Sequence, residues 1–385
     1  MNLKQVFNEV FNSEVSNEYF SPGRINLIGE HIDYSGGVVL PCAISIGTTV
    51  LTSVRPDLKL KFYSHNMPDI GIIEIDLNDL EFKEVDNWTN YPKGIFKLLK
   101  DQGYNFDHGL NILFSGNIPY GSGLSSSASI LMATAFLVND IYNLNIELID
   151  LVKLTRKVEN EYIGVSTGIM DQFAIGFGKY AHAILLNTNS LDYTYLPLDL
   201  KDNDIVIMNT NKKRGLADSA YNERKASCDR ALEILQEVYP VEYLCDLSLD
   251  QLMDQKDRLQ EGDLYDRAYH AIDENERTKK AASALQNGDL ELFGHYLNAS
   301  HDSLRDKYEV TGFELDTLQD RAISIDGCLG ARVTGAGFGG CAIAIVKRDQ
   351  VEHFIEDVSQ HYLEKVGYAA DFYVAQTGNG THRVN

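Results

Sequence analysis

The chain has 385 residues, of which 44% are hydrophobic and 10% aromatic, and it carries a formal net charge of −22. Such a length exceeds what one hydrophobic core usually supports, so two domains are expected. The negative charge repels nucleic acids and anionic membranes, which argues against both as partners. It also repels an anionic substrate such as ATP, so a phosphate site has to be built locally from backbone N–H groups, a metal ion and a few basic residues.

Targeting signals and cysteines indicate the compartment. Polar residues are spread through residues 1–10, and no later segment has the length of a membrane-spanning run. The five cysteines are scattered and never form a C-x-x-C pair, so we expect reduced thiols rather than disulfides or a zinc site. A cytoplasmic protein is therefore predicted.

The first part of the chain is predicted to be rich in β-strands, followed by two helices and a hairpin. Apolar residues recur at helical spacing in both helices, as at Ile130, Ala133 and Leu137 in the first. The predicted strands are 38–43, 48–54, 58–63 and 71–75, the helices are 125–142 and 147–163, and the hairpin strands are 183–186 and 193–196.

The second part begins with a strand at 205–209 and then becomes helical to about residue 321. Three further strands are predicted at 331–334, 341–346 and 372–375, with a helix at 350–365 between the last two. This order predicts an antiparallel α+β arrangement, and we expect the domain boundary near residue 200.

The first glycine-rich element is residues 118–129, with the sequence I-P-Y-G-S-G-L-S-S-S-A-S, directly before a predicted helix. Glycines let a backbone approach an anion closely, and the N–H groups and dipole at a helix N-terminus hold phosphate oxygens. The element lacks the G-x-x-x-x-G-K-[ST] pattern, so it is not a Walker loop. The alternative is a serine that only caps the helix.

The second element is residues 22–37, with the sequence P-G-R-I-N-L-I-G-E-H-I-D-Y-S-G-G. It places an arginine, two carboxylates and a histidine between glycines. Carboxylates are strong hydrogen-bond acceptors, so the pattern suits a neutral sugar with neighbouring hydroxyls. The alternative is a polar turn before a strand.

The third element is residues 329–341, in which Gly335, Gly337 and Gly340 satisfy G-x-G-x-x-G. A dinucleotide-binding loop has to open a helix after a strand, whereas the following residues 341–346 are typical of a strand. A glycine loop between two strands is therefore expected, and the alternative is a simple tight turn.

Residues 118–129 closely resemble the P-x-G-x-G-L-S-S-S-A signature of the GHMP kinases. Residues 22–37 are similar to the galactokinase signature G-R-V-N-L-I-G-E-H-T-D-Y-N-G-G, with Ile32 and Ser35 as departures. Residues 168–173 resemble the G-I-M-D-Q segment of the same family, and residues 329–341 its third motif. The resemblance extends from about residue 20 to residue 380 with the motifs in the family's order.

The resemblance implies a two-lobed α+β fold with the active site in the cleft between the lobes. Residues 1–200 would form an N-terminal ribosomal-protein-S5-like domain, and residues 201–385 a C-terminal ferredoxin-like α/β domain. The implied reaction transfers the γ-phosphate of ATP to the C1 hydroxyl of galactose, with Mg²⁺ as cofactor. No obligatory protein partner is inferred.

The resemblance also implies roles for residues at the sugar. Asp171 would face the anomeric hydroxyl, and Arg24 the reacting centre, where the arginine is expected to keep the aspartate ionised. Because phosphoryl transfer needs positioning more than a strong base, Asp171 is either a general base or mainly an orienting group. The expected sugar contacts are Glu30, His31, Asp33, Gly168 and Tyr221.

Nucleotide and metal contacts follow from the same motifs. Ser127 and Glu159 would hold Mg²⁺, a hard cation that prefers oxygen ligands. The aromatic residues of the segment 88–94 would line the adenine pocket. The expected nucleotide contacts are Gly121, Ser122, Gly123, Leu124, Ser125, Ser126, Ser127, Trp88 and Tyr91.

Two alternatives stay open on the sequence alone. One is a GHMP kinase acting on N-acetylgalactosamine or another small alcohol, because kinases of that sugar also carry E-H-I-D. The other is a galactose-sensing regulator derived from the same fold. The intact serine run 125–127, Glu159 and Asp171 favour an enzyme over a sensor.

Overall fold

A six-stranded sheet and the helices packed on it make up most of the first part of the chain. The computed structural model describes residues 2–119, 123–212 and 217–385. The elements of the first part are α1 (Leu3–Phe11), β1 (Asn17–Asn26), β2 (Val38–Val39), β3 (Pro41–Arg55), β4 (Lys59–Ser64), β5 (Ile73–Asp76), α2 (Asn90–Asp101), β6 (Gly109–Gly116), α3 (Ser126–Ile141), α4 (Leu148–Lys157), α5 (Met170–Phe177), β7 (His182–Asn187) and β8 (Tyr193–Pro197).

The second part contains a smaller sheet covered by helices. Its elements are β9 (Asn203–Asn209), α6 (Ala217–Gln236), α7 (Leu249–Asp254), α8 (Leu264–Gln286), α9 (Leu290–Ser303), α10 (Phe313–Ile323), β10 (Cys328–Thr334), β11 (Cys341–Lys347), α11 (Val351–Val366), β12 (Asp371–Ala375) and β13 (His382–Arg383).

Three sheets organise these strands. The large sheet has the order β13-β1-β3-β6-β4-β5 and is antiparallel apart from the β4–β6 pair. The second part contributes the antiparallel sheet β10-β11-β9-β12, and β2, β7 and β8 form a small third sheet. Helices and antiparallel sheets are thus segregated rather than alternating, and the predicted α+β class is confirmed.

A buried apolar cluster joins the two parts of the molecule. Ile25 and Leu27 from the first part pack there with Ile207 and Ile343 from the sheet of the second part, and Leu297 of α9 belongs to the same cluster. Because buried side chains are packed as closely as in organic crystals, this contact fixes the first part relative to the second. The end of β1 and the residues after it are held at this junction.

The structure departs from the predicted elements in the helix over 147–163. Helix α4 ends at Lys157 and is followed by a π-helical turn, Val158–Ile163. Such turns recur at functional sites because they shift the side chains that follow. Glu159 lies in this turn and is 5% exposed, so it is not a solvated helix charge.

The end of the chain returns to the first part. Strand β13 pairs with β1, and the Thr381 and Ser21 hydroxyls are hydrogen-bonded at 2.8 Å. The division into residues 1–200 and 201–385 stays a prediction, and the last residues lie on the first sheet. No helix in the described ranges is long and apolar enough to cross a membrane.

Candidate active site

The three glycine-rich elements and residues 168–173 meet at one cleft. Its walls come from the end of β1 and the loop after it, the start of α3, the π-helical turn, the start of α5 and the loop between β10 and β11. The lining residues are Arg24, Glu30, His31, Asp33, Tyr91, Gly123, Ser125, Ser126, Ser127, Glu159, Val165, Thr167, Gly168, Met170, Asp171, Tyr221, Gly335 and Ala336.

Arg24 and Asp171 form a two-point salt bridge. Arg24 Nε and Nη2 donate to the two carboxylate oxygens of Asp171 at 2.8 and 2.9 Å. The guanidinium is almost fully buried, whereas the Asp171 side chain keeps 30% of its surface exposed toward the cleft. Parallel N–H···O bonds of this kind fix both groups in direction as well as position. Strand β1 and the first turn of α5 therefore present one rigid ion pair.

Asp33 owes its position to the absence of a side chain at Gly168. A Cβ atom on Gly168 would lie 1.7 Å from the nearer Asp33 carboxylate oxygen, so another residue there would displace the carboxylate. Met170 N–H donates to Asp33 at 3.3 Å. Burial, and then the neighbouring Asp171, raise the pKa of Asp33 to about 6.

Glu30 is held by residues that the sequence analysis missed. Its side chain is 3% exposed and accepts a hydrogen bond from Arg332 Nη2 at 2.9 Å. Burial raises the pKa of Glu30 to about 7, which Arg332 and Arg24 oppose. The Glu30 carbonyl accepts from His270, and the N–H groups of Gly29 and Glu30 point to the Glu274 carboxylate.

These supporting residues gave little signal in the sequence. His270 and Glu274 lie four residues apart on α8 and resemble ordinary helix side chains. Arg332 lies inside the third motif, where a charged residue between Ala331 and Val333 of a predicted strand was the one available indication. All three belong to the second part of the chain and hold residues 29 and 30 of the first.

His31 uses both ring nitrogens within the protein. Nε2 donates to the Ala336 carbonyl at 3.1 Å, so Nδ1 accepts from the Tyr34 hydroxyl at 2.8 Å. Burial lowers the pKa of His31 to about 3, which keeps the ring neutral. Tyr221 lies beside it with ring centroids 5.3 Å apart. Both residues line the cleft, and their sugar contacts stay predictions.

Ser127 and Glu159 lie side by side, so that a hydroxyl oxygen and a carboxylate are adjacent in the cleft. The Ser127 hydroxyl donates to Glu159 at 2.8 Å, and Gln172 and Thr167 donate to the other carboxylate oxygen at 2.6 and 3.2 Å. Burial raises the pKa of Glu159 to about 7. Within residues 2–119, 123–212 and 217–385, this buried carboxylate has hydrogen-bond donors but no ion pair.

The first glycine-rich element, residues 118–129, is called the serine loop below. Its described residues contact the Arg24–Asp171 ion pair directly. The Gly123 carbonyl accepts from Arg24 Nη1 at 2.6 Å, and the Leu124 carbonyl from the Arg24 N–H at 3.3 Å. Leu124 is buried in the cluster between the two parts, whereas Ser126 is exposed in the cleft. Gly121 and Ser122, the other two expected contacts of this loop, lie outside the described residues.

The third glycine element closes the cleft from the second part. Gly335 has a φ of +79°, and a Cβ there would lie 2.6 Å from the Gly123 carbonyl, so both its conformation and its position require glycine. Strand β11, not a helix, follows this loop. The prediction that G-x-G-x-x-G is not a dinucleotide-binding loop here is therefore confirmed.

The aromatic residues expected at the adenine ring occupy different environments. Tyr91 lines the cleft. Trp88 is outside that set, and its ring packs edge-on against Phe62 and Phe114 at centroid distances of 6.3 and 5.4 Å. A contact between either residue and adenine stays a prediction.

Fold and cleft together define the class as that of the GHMP kinases. The profiles for "GHMP kinases N terminal domain" and "GHMP kinases C terminal" match residues 90–179 and 281–364, and the "Galactokinase galactose-binding signature" matches residues 5–54. The chain also has the fold of a mevalonate kinase from Methanococcus jannaschii, with a TM-score of 0.68 at 19% identity over 94% of this chain and 99% of that one.

Relatives with higher identity narrow the class. The galactokinase of Ligilactobacillus salivarius is 52% identical over 98% of both chains, and that of Streptococcus suis is 53% identical over 98% of this chain and 97% of the other. The crystal structure of Lactococcus lactis galactokinase complexed with galactose has a TM-score of 0.96 at 51% identity, covering 99% and 98% of the two chains. The chain belongs to the galactokinase family.

Membership makes the chain an ATP-dependent sugar kinase and confirms the predicted two-lobed GHMP kinase fold. The regulator alternative is not supported, because curated relatives at about half identity over the whole chain are enzymes.

Proposed function

We propose that this cleft transfers the γ-phosphate of ATP to the C1 hydroxyl of galactose, giving galactose 1-phosphate and ADP. The observation that carries the proposal is the Arg24–Asp171 ion pair, which joins residues 22–37 to α5 and contacts Gly123 of the serine loop. The acceptor hydroxyl has to lie next to a carboxylate that is partly exposed and that borders the loop expected to hold the phosphates. The family supports galactose as that acceptor.

Asp171 is proposed to orient the C1 hydroxyl and to take its proton. The sugar oxygen forms a bond to the γ-phosphorus, the bond from that phosphorus to the bridging oxygen breaks, and its electron pair leaves with ADP. The proton of the hydroxyl passes to the Asp171 carboxylate late in the reaction, since a loose transition state needs little basicity. Arg24 balances the negative charge that gathers at the reacting oxygens.

Four acidic residues and one arginine line the described part of the cleft, which disfavours an anionic nucleotide. We propose that Ser127 and Glu159 hold Mg²⁺ there, because a hydroxyl and a buried carboxylate are suitable ligands for a hard cation. The ion would supply positive charge to the phosphate oxygens. MgATP could then enter a cleft whose own charge is negative.

The metal assignment predicts a shifted magnesium requirement. Glu159→Gln removes the charged ligand while keeping an oxygen, and Ser127→Ala removes the hydroxyl, so we expect each variant to need roughly tenfold more Mg²⁺ for half-maximal activity. Magnesium titrations at fixed ATP measure this. Glu161→Gln is the matched control, since Glu161 lies in the same π-helical turn but does not line the cleft. Titrations of both variants that overlay the native curve would contradict the assignment.

The substrate assignment is tested by measuring ADP release with galactose, N-acetylgalactosamine and mevalonate on one preparation. We expect galactose to have the highest kcat/KM. A clear preference for N-acetylgalactosamine would transfer the assignment to that sugar, and turnover only with mevalonate would reject a sugar kinase.

A cytoplasmic location is also proposed. Cys42, Cys228, Cys245 and Cys328 form no disulfide in the described structure, in agreement with a reducing compartment. Fractionation of the native host with activity assays of each fraction tests it.

A further inference from the structure

Ser125 has an unusual backbone conformation for a residue with a side chain. Its φ and ψ are 64° and 49°, in the left-handed region. Residues other than glycine, asparagine and aspartate rarely adopt this region, and strain of this kind concentrates at functional sites. A glycine would adopt it without cost. The serine therefore stands here against a backbone preference.

Helix capping does not account for the serine. Ser125 precedes the first residue of α3, where a serine normally has extended backbone angles and accepts a hydrogen bond from an N–H of the first turn. In the described structure its side chain makes no such bond, so the capping alternative is wrong for this residue. Its hydroxyl instead donates to Oδ2 of Asp171.

This bond completes a closed set of contacts around the carboxylate. Asp171 receives two N–H groups from Arg24 and the hydroxyl of Ser125. The third donor of the guanidinium, Nη1, holds the Gly123 carbonyl, two residues before Ser125. Residues 123–125 belong to the loop expected to hold the phosphates, and both ends of this segment contact the ion pair. Gly123 binds Arg24, and Ser125 binds Asp171, the carboxylate expected to face the sugar.

We propose that Ser125 is a positioning residue for Asp171. Together with the two Arg24 donors, its hydroxyl holds the carboxylate against residues 123–125 of the serine loop, so that the C1 hydroxyl and the γ-phosphorus meet in line. Displacements of about 1 Å in such an arrangement reduce rates by roughly 100-fold. The inference rests on the proposed role of Asp171 and adds a residue that holds this carboxylate next to the serine loop.

Two substitutions separate the hydroxyl from the backbone strain. Ser125→Gly removes both, and Ser125→Ala removes only the hydroxyl. We expect kcat for galactose to fall roughly 10- to 100-fold in both variants, with the KM values for ATP and galactose unchanged. We also expect the Tm of Ser125→Gly to be at least that of the native protein, because glycine is unstrained there. Lost activity is then not explained by unfolding.

Ala181→Gly is the matched control, because Ala181 has a φ of 57° and is exposed outside the cleft. The Ala181→Gly substitution should likewise raise Tm, and it should leave kcat unchanged. Native kcat in Ser125→Gly would overturn the proposal and make the serine dispensable. A raised KM for ATP with unchanged kcat would also overturn it and make Ser125 a phosphate ligand. Neither result affects the role of Asp171, which has its own test.

Discussion

Asp171→Ala is expected to lower kcat by at least roughly 1000-fold while the protein still binds galactose and ATP. The carboxylate is proposed to act on the hydroxyl proton in the transition state, and groups that do so typically contribute 10²- to 10⁴-fold. Binding depends on the other walls of the cleft. Steady-state ADP release and equilibrium titration of each ligand measure the two effects separately.

The stability of the Asp171→Ala variant has to be controlled separately from its activity. Removing Asp171 leaves the buried Arg24 guanidinium without its partner, which costs about 3–5 kcal/mol in other buried pairs. Asp171→Asn keeps the size and one acceptor oxygen, so it should stay closer to the native Tm and still lose turnover. Asp254→Ala removes an exposed aspartate at the end of α7 and should change neither. Near-native kcat in a folded Asp171→Asn would reject the proposed role.

The sequence motifs were sufficient to predict which segments meet. Residues 22–37, 118–129 and 168–173 are far apart in the chain, yet the described residues of each line the same cleft. Each segment carries glycines next to polar residues, and two backbones can approach closely where a Cβ is missing. Gly335 of the third glycine-rich element, residues 329–341, makes such an approach to Gly123. The α+β class followed from the order of the predicted strands and helices along the chain. These could be told apart because apolar residues repeat at a different spacing in strands and in helices.

The supporting contacts could not be predicted in the same way. The buried cluster of His270, Glu274 and Arg332 depends on how the second part packs on the first, and no local pattern encodes that packing. The π-helical turn at Glu159 was missed because one extra residue in a turn leaves the apolar spacing of the preceding helix intact. The orientation of Ser125 toward Asp171 likewise depends on how α3 packs against α5.

Galactose is expected to be preferred over glucose by roughly 10⁴ in kcat/KM, and Asp33 is the residue that we expect to carry this preference. The two sugars differ in one hydroxyl, which is axial at C4 in galactose. A buried carboxylate placed to accept from that hydroxyl is left unpaired by glucose, and an unpaired buried polar group is costly. Asp33 is partly buried, and its carboxylate packs against Gly168.

Two variants test whether the Asp33 carboxylate and its position produce the discrimination. Asp33→Asn weakens the acceptor, and Gly168→Ala displaces it, since the added methyl group would overlap the carboxylate. Both are expected to reduce the galactose-to-glucose ratio by at least roughly 100-fold, mainly through a lower kcat/KM for galactose. Gly116→Ala is the matched glycine control, because its nearest neighbour would be 3.8 Å from the new Cβ. Equal kcat/KM values for galactose and glucose in the native enzyme would refute the role of Asp33, and an unchanged ratio in both variants would assign the discrimination to another wall of the cleft.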